Sequence, residues 1–237
     1  DLQINILDTP GHEDFAEDTY RTLTAVDSAI VVVDVANGVE KQTEKLTKVC
    51  RMRDTPLIFF VNKLDREGLD AFDLLDEIEQ KLDVKVRPLS WPIGMGQRFK
   101  GVYNLYEKKL VLFNPHGKQE DEEVIVFEDL ANPELEKHIG ESAARELRGE
   151  VEVVETVYHD FKKEDYLSGK ICPVFFGSAV NNFGVKEMLD CFVEIAPTPL
   201  PRFTEERLVK PEEDKFSGFV FKIFANMDPK HRDRIAF

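Results

Sequence analysis

Cysteine is scarce in this 237-residue sequence: Cys50, Cys172 and Cys191 are few, odd in number and widely spaced. They suit neither a disulfide framework nor a zinc site, so a reducing cytosol and a cytoplasmic protein are the default. Basic residues are also short, 31 Lys and Arg against 46 Asp and Glu, for a formal net charge of −15. That sign excludes wrapping of nucleic acid by simple electrostatics. Long apolar runs are absent. The longest are Ala29–Val33 and Pro56–Val61, far below the roughly 20 residues that a bilayer-spanning helix needs, so no membrane partner is expected. His116, His138 and His159 have no metal-ligand spacing. No Gly-Lys-Ser or Gly-Lys-Thr occurs anywhere, and this excludes the usual phosphate-gripping loop from these residues.

What is present suffices for a core. Hydrophobic residues make up 42% and include 18 Phe, which argues against overall disorder. The length suits one large or two modest domains. Leu2–Leu7 alternates apolar and polar from the second residue, as a strand does, so the chain is expected to begin partway through a domain.

Further along, the pattern switches repeatedly between strand and helix. Asp14–Ala25 has helical spacing, and Ser28–Val35 is a Val/Ile run expected of a strand buried on both faces. Val39–Arg53 returns to helical period, Pro56–Val61 reads as a second buried strand, and Ala71–Leu82 as an amphipathic helix. Such alternation implies βαβ units and a mostly parallel sheet. The texture changes at Gly101. Val102–Phe113 reads as a hairpin, Val124–Phe127 as a strand, and Pro133–Leu167 as two or three charged helices. Residues 101–170 carry seventeen acidic and nine basic residues, over half of the net charge. Ile171–Phe176 is again a buried strand and Gly184–Ala196 a helix. Pro197–Pro201 is a stiff linker, and Phe216–Phe224 alternates as a strand opening a further β domain. The Pro88–Gly96 segment around Trp91 suits core and turn roles.

Three strand-end motifs carry chemistry. Asp8-Thr9-Pro10-Gly11-His12 follows the first strand. A nucleotide hydrolase needs there a carboxylate that holds Mg²⁺ through water, a small residue whose N–H approaches the γ-phosphate, and a side chain that orients the attacking water. Asp8, Gly11 and His12 suit these roles, although the same residues also suit an ordinary Pro-Gly turn with a surface histidine. Asn62-Lys63-Leu64-Asp65 follows the Pro56–Val61 strand, on the side of an α/β sheet where ligands sit. The Asn can pair with purine N7, and the Lys stem can cover the base. Asp65 can accept from both N1–H and the exocyclic amine of guanine, a pairing that adenine cannot make. Gly177-Ser178-Ala179 follows the third strand. There backbone N–H groups can meet guanine O6, and Ser178 can brace the Asp65 loop. This third motif alone says little; the order of all three describes one guanine-nucleotide site.

Asp8–Asp27, Arg53–Arg66, Trp91–Tyr106, Pro173–Phe183 and Lys215–Phe237 together resemble the translational GTPases, most closely the branch of bacterial peptide chain release factor 3. The Glu13-Asp14 pair after His12 separates them from elongation factor G. The resemblance implies a P-loop-GTPase-type α/β domain over 1–100 and 171–200, incomplete at its N-terminus, with an inserted α+β subdomain over 101–170. It also implies a linker and the start of a β-barrel domain over 201–237. It implies GTP or GDP with Mg²⁺ as cofactors, His12 as the catalytic histidine, and nucleotide contacts from Asp8, Thr9, Pro10, Gly11, Asn62, Lys63, Asp65, Ser178 and Ala179. The implied partners of a monomeric protein are large-subunit ribosomal RNA and proteins, and the peptide-releasing factors that it helps to leave the ribosome. An elongation-factor-like or ribosome-protection GTPase stays open, as does a GTPase-derived binding module. Without a phosphate loop the chain by itself is expected to be inactive.

Overall fold

The computed structural model describes residues 3–9, 16–113, 123–225 and 233–237. In chain order its first elements are α1 (Ala16–Thr22), β1 (Ala29–Asp34), α2 (Lys41–Met52), β2 (Leu57–Asn62), α3 (Ala71–Leu82) and β3 (Val86–Pro88). Then come four short strands, β4 (Ser90–Ile93), β5 (Gly101–Asn104), β6 (Lys109–Leu112) and β7 (Glu123–Val126). Three helices follow, α4 (Glu134–Ile139), α5 (Glu141–Val157) and α6 (Lys163–Leu167). The remainder holds β8 (Cys172–Phe176), α7 (Val185–Ile195), β9 (Arg202–Phe203), β10 (Leu208–Val209), β11 (Ile223–Ala225) and β12 (Arg234–Ala236).

The central sheet is parallel, in the order β1-β2-β8-β3. β2 and β8 are buried at almost every position because helices cover both faces. Side chains alternate across the sheet. Phe59, Val61, Val174 and Phe176 belong to one core with Leu74, Leu75 and Ile78 of α3. Ile58, Phe60 and Phe175 belong to the other, with Met188, Cys191 and Ile195 of α7. α3 starts and stops where its sequence dictates. Asp70 caps it by accepting from the Phe72 and Asp73 amides, and Asp83 closes it in a left-handed conformation.

A second, antiparallel sheet runs β4-β5-β6-β7. It is bonded to the parallel sheet through the Ser90 hydroxyl, which accepts from Phe176 N–H at 2.9 Å. Trp91 is fully buried, against the Phe72 ring at 4.6 Å and the Phe176 ring at 5.6 Å. Its Nε1 donates to Glu150 of α5 at 2.8 Å. Arg87 of β3 is 6% exposed. It reaches the end of α5, donating to the Val154 and Tyr158 carbonyls at 3.4 and 3.3 Å and to Glu155 at 2.8 Å. Trp91 is core, as its segment suggested, but that segment is also strand.

Three expectations fail. Of the expected Leu2–Leu7 strand, the described residues 3–7 form none; residues 3–8 are exposed and pair with nothing described. Period-2 patterning alone does not hold a strand without a neighbouring ladder. The Ser28–Val35 strand exists, as β1 paired with β2, but one of its two faces is open. Ile30 and Val32 are 39% and 58% exposed. Phe216–Phe224 is not a strand either. The strand is confined to Ile223–Ala225, antiparallel with β12 and extended by backbone bonds of Phe221 and Lys222 to Phe237, and Phe216 is fully exposed. A two-stranded ribbon with no packed face buries little side chain. β9 and β10 form a second such ribbon. The linker before them is anchored at Asp27, which accepts from the Leu200 amide and Arg202 at 3.3 and 3.2 Å. Fold class otherwise agrees with the sequence: a P-loop-GTPase-type α/β sheet followed by small antiparallel pieces of a barrel-like start. Among the described residues no helix is long and apolar enough to cross a membrane.

Candidate guanine site

The carboxyl ends of β2 and β8 lie side by side, with Val61 opposite Phe176. The Asn62–Asp65 turn and the Gly177–Ala179 turn therefore leave the sheet as neighbours. Backbone bonds begin the joint: Gly177 N–H to Val61 O at 2.9 Å, and Leu64 N–H to Gly177 O at 3.1 Å. Gly177 is required by space. A Cβ there would stand 2.3 Å from Phe183 O and 2.7 Å from the Phe60 ring.

Side chains complete it. Asn62 Oδ1 accepts from Lys63 N–H and from Ala179 N–H, both at 2.8 Å. With its oxygen committed twice, its Nδ2 is the group left to face a ligand, and an N–H donor is what purine N7 requires. Ser178 is fully buried, and its hydroxyl donates to Asp65 Oδ1 at 2.5 Å. Oδ2 of Asp65 and the second lone pair of Oδ1 stay available for two donors side by side. The residues thus fit a guanine edge. One detail differs from the sequence reading. The Ala179 amide is already bonded to Asn62, so it meets guanine O6 only by exchanging that bond.

Lys63 adopts a positive φ of 71°, and its ammonium lies 2.6 Å from Asp34 Oδ2. Oδ1 of Asp34 accepts from Ala36 N–H at 2.8 Å. The Lys63 hydrogen bond lowers the Asp34 pKa, against a smaller opposing push from burial. The pair is partly exposed and worth about 1 kcal/mol or less, so its role is positional. Sequence reading missed Asp34. The signal was its place at the end of β1, in register with Asn62.

The phosphate side is less complete. Asp8 is exposed and Thr9 half-buried at the end of the unpaired segment 3–9. Pro10, Gly11 and His12 lie outside the described residues. A cavity of about 430 Å³ lies elsewhere, lined by Lys85, His159, Asp160, Lys162, Asp165, Lys170 and Ile171. It sits where β3 and β8 begin, at the opposite end of the sheet from these turns. Among the described residues no group of His, Cys, Asp and Glu is arranged to hold a metal ion.

A parallel sheet with two strand-end turns tied side by side is the arrangement of an α/β domain that takes its ligand at that edge. Residues 1–198 match the family described as the Elongation factor Tu GTP binding domain. The chain belongs to that family, the translational GTPases. Its fold is also that of a protein crystallised from Thermus thermophilus, with a TM-score of 0.59 and 23% identity over 81% of this chain. The chain spans 30% of that neighbour's length.

Proposed function

We propose that this chain carries the base-recognising part of a translation-termination GTPase of the peptide chain release factor 3 type. The observation that carries the reading is the double side-chain tie, Ser178 to Asp65 and Ala179 to Asn62, between two turns separated by more than a hundred residues. It supports guanine in particular, because it leaves Asp65 as a two-point acceptor. In this reading Asn62 Nδ2 donates to N7, the Lys63 stem covers the base, and Asp65 accepts from N1–H and the exocyclic amine. Asp8 holds Mg²⁺ through water, with Thr9, Pro10 and Gly11 beside the γ-phosphate. Mg²⁺, when bound, neutralises charge on the phosphates. His12 orients the attacking water.

The termination role is supported by the Glu13-Asp14 pair and by the Trp91–Tyr106 segment. The partners in this reading are large-subunit RNA and proteins and the peptide-releasing factors, met by a cytoplasmic monomer. The acidic 101–170 region faces away from RNA. The sequence holds no G-x-x-x-x-G-K-[ST] loop, so the 237-residue chain alone holds the base but does not hydrolyse GTP.

Titration of labelled GTP, XTP and ATP against the chain tests this. Weak, guanine-selective binding without turnover is expected. Micromolar affinity, or equal affinity for ATP, refutes it. When the chain is joined to a phosphate loop on its N-terminal side, His12→Ala is expected to lower ribosome-stimulated hydrolysis and leave GTP affinity unchanged. Unaltered stimulated turnover refutes the role of His12.

A further inference from the structure

The Ser178–Asp65 contact raises a question of proton direction. A serine hydroxyl has one proton and two lone pairs. A carboxylate oxygen only accepts, so in the contact with Asp65 that proton is the one donated. Any third group touching Ser178 Oγ must then donate to it. Such a group is present: Asn181 Nδ2 lies 2.8 Å from Ser178 Oγ. Asn181 sits at the end of the short 3-10 turn Ala179–Asn181, which holds it over the serine. The turn is closed by Asn181 N–H to Ser178 O at 3.0 Å and by the left-handed Asn182. The relay therefore has one consistent direction, from the Asn181 amide to the Ser178 hydroxyl to the Asp65 carboxylate.

We propose that Asn181 is a positioning residue for guanine selectivity. It occupies the serine's acceptor lone pair, so the hydroxyl proton stays directed at Asp65 and the carboxylate is held as a two-point acceptor. Asn181 touches no base itself and acts through Ser178. The proposal rests on the guanine reading above and adds to it the residue that sets the orientation of Asp65.

Neutral nucleosides make the test, because they remove any general effect of charge. Guanosine and inosine differ only in the exocyclic amine, so their affinity ratio reports the two-point match and not the stability of the loop. The ratio is measured on the 237-residue chain by ¹⁵N–¹H shifts at Lys63, Leu64 and Ala179, with adenosine as control. The wild-type ratio is expected to be about tenfold, the size of one well-placed hydrogen bond to a charged group. Asn181→Ala removes the donor but offers the hydroxyl no rival acceptor, so the ratio falls modestly, to about fivefold. Asn181→Asp places a competing carboxylate on the serine, and the ratio falls to about twofold or less. That order, with the isosteric variant worse than the truncation, is not what a packing role produces. An unchanged ratio in both variants, or alanine worse than aspartate, overturns the role of Asn181 while guanosine selectivity of the wild type stands. A wild-type chain that does not prefer guanosine to adenosine overturns the guanine reading, and this inference with it.

Discussion

Replacing Arg87 by Met tests how the end of α5 is held to the parallel sheet. The guanidinium is buried, and it serves three acceptors of unequal value. Glu155 is 47% exposed, so its pair with Arg87 contributes about 1 kcal/mol or less. The Val154 carbonyl also receives the Tyr158 amide at 3.1 Å and keeps a partner when Arg87 is gone. The Tyr158 carbonyl would lose the donor that Arg87 gives it, a cost of about 1–3 kcal/mol. Against this, Arg87 Nε is buried without a partner in the native state, and its removal returns about 1 kcal/mol, which offsets the lost Glu155 pair and leaves the Tyr158 carbonyl to set the result. The net expectation is a destabilisation of about 1–3 kcal/mol for Arg87→Met, and less than about 1 kcal/mol for Glu155→Gln. Urea denaturation measures both, the midpoint shifting with an unchanged slope. Amide exchange should rise first at Val154–Tyr158, the turn that the guanidinium holds. The reasoning is wrong if Arg87→Met lies within about 0.5 kcal/mol of wild type, or if Glu155→Gln costs as much as Arg87→Met.

Three further outcomes follow from the geometry. Gly177→Ala should cost at least about 2 kcal/mol and weaken guanosine binding, because its Cβ meets a backbone oxygen and a buried ring; a neutral effect on thermal unfolding would contradict this. Asp65→Asn should move preference from guanosine to xanthosine nucleotides, since the amide donates where the carboxylate accepted; retained GTP preference would count against Asp65. Burial raises the Glu150 pKa, with the Trp91 hydrogen bond opposing it. A carboxyl raised in the folded state stabilises most below its unfolded pKa, and the cost enters as pH climbs from there through the folded value. Glu150→Gln keeps an acceptor for Trp91 without that titration. Its stability relative to wild type should therefore rise with pH across this window and then level off, and a difference flat with pH would exclude the effect.

Much of this was legible in the residues because local and global demands agree there. The Ala71–Leu82 helix is found at its predicted bounds: Asp70 caps it, and Leu74, Leu75 and Ile78 share one face. β2 and β8 announce themselves as continuous apolar runs, which only a sheet covered on both faces needs. The turns after them were readable as a candidate ligand site because ligands gather at that end of such sheets. Other features were hidden for identifiable reasons. β4 carries Pro92, which argues against a strand, yet β4 is an edge of its sheet, where a missing N–H is tolerated. Leu2–Leu7 has the alternation of a strand, but pairing is a tertiary property and no described strand lies beside it. Asp34 and Asn181 belong to no motif. Their importance comes from the partners that folding places at 2.6 and 2.8 Å.

The position of β8 also has a consequence for the order in which the molecule comes into being. It lies between β2 and β3 in space but follows β4–β7 and α4–α6 in sequence. A ribosome adding about 5–20 residues each second takes roughly 6–23 s to travel from Asn62 to Ala179. For that interval β2 and β3 have no strand to join them, and half of the candidate site has not been made. The centre of the sheet is filled last, so the site cannot form until nearly the whole domain has emerged. The antiparallel sheet and its helices can be complete before then, with Ser90 waiting on β4 to receive the Phe176 amide.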